Sequence, residues 1–134
     1  MQANRRESVR TALRVLLAAF FVFAGVMHFA ASGTYVRIMP AYLPAPLALV
    51  YVSGICEILG GIGVLFPPPL RRWAGWGLIA LLVAVFPANV DMALHGAVIG
   101  HTNIQSLWLW MRLPLQFVLM AWVAFAAQLR RQAP

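Results

Sequence analysis

Carboxylates are scarce in this sequence: Glu7, Glu57 and Asp91 are the three acids among 134 residues. Only 10% of the chain is charged, 63% is hydrophobic and the mean hydropathy is +0.83. Soluble domains carry about 25% charged residues, so this composition excludes an ordinary soluble fold. Cys56 stands alone, which rules out an internal disulfide or a paired-thiol redox cycle within one chain. Its place in an apolar stretch marks it as a small packing residue. No Ser-His-Asp order, phosphate loop, haem motif or zinc spacing occurs. A self-sufficient enzyme is therefore not expected, and any chemistry must sit between helices or on a partner.

What the chain does have is long apolar runs, at residues 13–31, 47–66, 73–94 and 107–129. About 20 residues rising 1.5 Å each cross a hydrocarbon core of about 30 Å. These runs predict an all-α integral membrane protein, a four-helix transmembrane bundle forming one domain over residues 1–134. The net charge of +7 is distributed by loop. Arg5, Arg6, Arg10 and Arg14 stand at the start of the first run, Arg71 and Arg72 between the second and third, and Arg130 and Arg131 after the fourth. The two opposite loops hold only Arg37. That asymmetry puts both termini in the cytoplasm and argues against a nucleic-acid groove, which would mix basic residues with exposed aromatics. Attraction to anionic lipid is a second use of the same arginines. The basic start and following apolar stretch mimic a signal peptide, but three further runs favour a retained first helix.

Within the second run, Glu57 interrupts the apolar pattern. A charge at membrane depth costs about 2.5–3.5 kcal/mol on insertion scales, so it needs a partner or a task. Helical spacing puts Ser53, Glu57, Gly61 and Val64 on one face, with Gly54 and Gly60 beside them. Small residues around an acid let a neighbouring helix approach and shield it, so Glu57 should face protein. Four other polar residues fall in the same outer half. Counted at 1.5 Å per residue, Glu57 lies about 15 Å deep, Gln116 about 14 Å and Arg112 about 8 Å, with His28 and Asn89 shallower. The simplest account is an ion pair of Glu57 with Arg112, supported by Gln116, Asn89 and His28. Such a cluster serves helix registry, or forms the polar floor of an apolar pocket for an amphipathic ligand. Asp91 stands about 200° round the helix from Asn89, which places Asn89 inside and Asp91 at the interface, near Arg37 or Arg112. His28, His95 and His101 lack a convergent acid or cysteine, so no metal site is expected. The loop from Ser32 to Pro46 is amphipathic, suited to the headgroup region or to a lid over the bundle's outer mouth.

One ordered set of motifs is more specific than any of these features. Phe23-Ala24-Gly25-Val26-Met27-His28-Phe29 is followed by Tyr35, Met39-Pro40, Tyr42-Leu43-Pro44, and Ser53-Gly54 before Glu57. Gly60-Gly61, Pro67, Arg71-Arg72, Phe86-Pro87-Ala88-Asn89 and Arg112-Leu113-Pro114-Leu115-Gln116 continue it. From Phe20 to Trp122 the chain resembles the DoxX-like family of small bacterial membrane proteins. The resemblance implies a four-helix bundle in the cytoplasmic (inner) membrane and an association with thiosulfate:quinone oxidoreduction, where a DoxX-type chain accompanies another subunit. It implies an accessory subunit binding a quinone or similar lipid for a redox partner, at most one part of a quinone-linked oxidoreductase. Two other readings stay open: a small hydrophobic-ligand binding or transport protein, and an assembly or chaperone module whose polar core fixes packing. A homo-oligomer is compatible with each.

Overall fold

The computed structural model describes residues 1–95, 97–99, 102–104 and 106–129, with side chains up to His95 and from Trp110. His101, Arg130 and Arg131, on which the loop and charge arguments touch, lie outside the described residues. The elements run α1 (Gln2–Ala30), α2 (Ser32–Ile38), α3 (Pro46–Gly63), α4 (Leu70–His95), β1 (Ala97–Ile99), β2 (Thr102–Ile104) and α5 (Ser106–Ala126). The basic N-terminal segment is continuous with the first apolar run in a single 29-residue helix. Helices α1, α3 and α4 are each long and apolar enough to cross a membrane; the apolar part of α5, Trp110–Ala126, is shorter.

Two local features differ from the sequence reading. The amphipathic first loop contains the seven-residue helix α2, which packs on α3. The second loop carries an antiparallel hairpin, with Ala97 opposite Ile104 and Ile99 opposite Thr102. Pro46 starts α3 at a position where its missing N–H costs nothing, and Pro67–Pro69 separate α3 from α4.

α1 packs most closely on α3, α3 on α4, α4 on α5, and α5 returns to α1. The α1–α3 contact is made by backbone. A Cβ on Gly25 would lie 2.6 Å from the Gly54 carbonyl oxygen, and one on Gly61 would lie 3.1 Å from the Ala18 carbonyl. Ala18 and Gly25 are seven residues apart, as are Gly54 and Gly61, so two antiparallel small-residue pairs hold the helices together. Around the middle of α1, Leu17, Phe21, Val64, Leu78 and Val123 fill a fully buried core. Two arginines close helix ends there: Arg14 Nε donates to the Ala126 carbonyl at 3.2 Å, and Arg71 Nε to the Val64 carbonyl at 3.3 Å. Both carbonyls belong to C-terminal turns, where the partial negative charge favours a cation. Trp122 Nε1 also donates to the Leu13 carbonyl, tying α5 to α1.

The glycine contact has a direct test. Gly54→Leu must push apart two backbones and should cost about 1–3 kcal/mol in a reversible unfolding assay in detergent. Gly77, with nothing within 4 Å of its missing Cβ, is the control. There Gly77→Ala should be neutral or stabilising by up to about 1 kcal/mol.

Candidate functional site

Above the packed core the four long helices diverge around a cavity of about 370 Å³. Each contributes side chains: Phe21, Ala24 and His28 from α1, Val50, Ser53 and Glu57 from α3, Val85 and Asn89 from α4, and Met111, Arg112, Leu115 and Gln116 from α5. Tyr35 and Ile38 of α2 complete the wall. All five polar residues singled out in the sequence therefore line one space. Three separate arrangements occupy it.

The first is centred on Glu57, a little under one turn from the Gly54 contact. Because Gly25 and Gly54 let the antiparallel helices sit together, His28 and Glu57, each three residues beyond its glycine, flank the contact from opposite sides and their side chains lean back toward it to meet. His28 Nδ1 lies 2.8 Å from the Ala24 carbonyl and 3.1 Å from Glu57 Oε2. A carbonyl only accepts, so Nδ1 carries the proton and points it at Ala24. One N–H does not serve both oxygens well, and Glu57 Oε2 is buried without a hydrogen bond of good geometry. The Tyr35 ring stacks on the other side of His28, with centroids 4.1 Å apart and planes at 24°. Burial, then the charge of Glu57, push the Tyr35 phenol above its ordinary range, while Arg112 pulls it the other way. The phenol thus stays a hydrogen-bond donor at neutral pH.

The second arrangement links α4 to α5. Asn89 Nδ2 donates to Gln116 Oε1 at 2.8 Å, and Gln116 Nε2 donates to the Leu82 carbonyl. Pro87 cannot donate to the carbonyl four residues before it and so loosens this part of α4. Gln116 reaches in beside that loosened turn. It is 3% exposed and uses both ends of its amide on α4.

Arg112 is the third. Among the described residues it pairs with no carboxylate. The expected Glu57–Arg112 ion pair is therefore corrected: the near partner of Glu57 is His28, and Arg112 faces the cavity with its charge uncompensated. Depth along each helix sets height only; rotation about the helix axis decides which groups meet.

Other expectations resolve as follows. Asn89 faces inward and Asp91 outward, but Asp91 lies 3.1 Å from His95 Nδ1 rather than beside Arg37 or Arg112. Cys56 is exposed on the outer surface of α3, not packed inside. The structure adds Tyr35 and Ser53 to the polar lining. Ser53 was legible from its four-residue spacing to Glu57, whereas Tyr35 stands in a short segment with no periodic pattern to place it.

The family model described as Domain of unknown function (DUF8561) matches residues 17–127. The chain belongs to that family. No curated protein and no solved structure matches it. The matched segment holds the whole polar lining of the cavity, from His28 to Gln116.

The Asn89–Gln116 link yields a second test. Asn89→Leu and Gln116→Leu each leave a polar partner unsatisfied, while the double variant removes both. The double-mutant cycle in detergent unfolding should give a coupling of about 0.6–1.7 kcal/mol, the range for such bonds between membrane helices. Additive losses would remove the link from the account.

Proposed function

We propose that the chain is a four-helix transmembrane protein of the bacterial cytoplasmic membrane, with both termini inside. Its cavity would hold the polar head of an amphipathic lipid, for instance a quinone ring with an isoprenoid tail. The ordered motifs shared with DoxX-like proteins support the bundle and the quinone, and the arginine distribution supports the orientation. At 21 residues, α5 is long enough to be the fourth span, at about 31 Å.

The observation that carries this reading is the mismatch of polar groups in the cavity. Among the described residues, Glu57 Oε2 has no hydrogen bond of good geometry and half-buried Arg112 has no carboxylate partner, yet both line the same apolar-walled space. Buried polar groups are normally satisfied, and an unpaired charge is the most costly exception. The reduced, quinol form of such a head satisfies both at once, one hydroxyl donating to Glu57 and the oxygen of the other accepting from Arg112, whereas the oxidised quinone would satisfy Arg112 alone. Phe20, Met111 and Leu115 line the cavity and are also 43%, 50% and 55% exposed on the outer surface. They mark a side opening between α1 and α5, through which an apolar tail reaches the lipid. In this reading the protein presents the lipid to a redox or other membrane partner. The assembly-module reading draws support from Gln116, whose amide is spent entirely on joining α4 to α5.

Native mass spectrometry with lipid extraction, on protein purified gently from its own membrane, separates these readings. A stoichiometric quinone or other isoprenoid is expected on the wild type. It should be lost in Glu57→Gln and Arg112→Met variants that still unfold cooperatively. An empty wild-type protein, with both variants altered only in stability, would favour the assembly module.

A further inference from the structure

At the opposite end of the helices a second groove, of about 860 Å³, runs along the outside of α5. Glu7 and Arg10 of α1 and Gln128 form its polar mouth, and Ile79, Met120, Ala121, Ala124 and Phe125 its apolar length. Ala121 and Ala124 leave space where larger side chains would fill it. The Arg10 guanidinium lies over the Phe125 ring, 4.9 Å from its centroid, which holds the cation at the junction of the polar and apolar parts.

Positive charge at this mouth exceeds what the protein supplies to balance it. Glu7 is the single acid there and is shared between two arginines, at 3.5 Å from Arg10 Nη1 and 3.9 Å from Arg14 Nη2. Neither contact is a close ion pair. Arg10 Nε and Arg14 Nη2 are both buried with no hydrogen-bond acceptor. Arg14 stands behind the groove rather than in its lining, 6% exposed and bonded to the Ala126 carbonyl, and its charge draws on the same Glu7. Arg5 and Arg6 add charge on the preceding turns of α1.

We propose that this groove is a binding site for one anionic phospholipid of the inner leaflet. The phosphate sits on Arg10, and an acyl chain lies along Met120, Ala121 and Ala124. A lipid is the occupant because the cationic mouth opens onto an apolar channel, whereas a free phosphate would use the mouth alone. The site rests on the membrane orientation proposed above but not on what the cavity binds. Glu7 limits the affinity by competing with the phosphate for Arg10.

The test mixes full-length protein in micelles with equal amounts of phosphatidylglycerol and phosphatidylcholine and counts retained lipids by native mass spectrometry. Phosphatidylglycerol is expected to be retained preferentially. Arg10→Gln should weaken retention about fivefold, the worth of one arginine near an anionic surface, and Arg10→Lys should restore most of it. Ala121→Phe, which fills the channel without touching charge, should also weaken it, and Glu7→Gln should strengthen it. Glu57→Gln protein should retain phosphatidylglycerol whatever happens at the cavity. Equal retention of the two lipids, or indifference to both Arg10→Gln and Ala121→Phe, would overturn the proposal. So would displacement by millimolar inorganic phosphate, which would assign a free-anion site.

Discussion

The backbone contact between α1 and α3 is the constraint on which the polar site depends. Gly25 against Gly54 and Ala18 against Gly61 bring the two helices closer than ordinary side chains permit. At that separation His28 lies against Gly54 and reaches Glu57 at 3.1 Å, and the protein largely shields the pair. Larger residues at the contact would move the helices apart and open Glu57 to its surroundings. The small residues thus act through geometry, by fixing which groups an awkwardly placed acid can meet.

The molecule divides into two ends with different physics. Leu17, Phe21, Val64, Leu78 and Val123 are fully buried against one another at one end, where arginines close the ends of α3 and α5. At the other end the same helices separate, and polar groups face a space they do not fill. Two kinds of polar residue are found there. Asn89 and Gln116 are consumed by each other and by the α4 backbone, as expected of groups that set helix register. Among the described residues Glu57 and Arg112 form no such links between helices, which is why the proposed ligand is placed between them.

Much of this was legible in the sequence. The inward face of Glu57 followed from Ser53, Gly61 and Val64 at helical spacing, and the gathering of His28, Glu57, Asn89, Arg112 and Gln116 followed from their common depth. The partner of Glu57 did not. Height along a helix comes from counting residues, but which helix turns which face to its neighbour depends on the glycine contacts. Those contacts favour His28 over Arg112. Cys56 shows the same limit: one residue from Glu57 means about 100° of rotation, enough to carry it from interior to outer surface. The helix α2 and the hairpin were not legible because each is too short for its periodicity to stand out. The unequal sharing of Glu7 between Arg10 and Arg14 also required coordinates, since the sequence shows only a basic segment with one acid in it.

The central claim is that Glu57 and Arg112 are held apart for a ligand that lies between them. A density map of the protein extracted with its native lipids tests this most directly. The account predicts elongated density in the cavity, its head between Glu57 and Arg112 and its tail leaving between α1 and α5 past Phe20 and Leu115. A cavity collapsed onto a direct Glu57–Arg112 ion pair, with no room for a ligand, would contradict it.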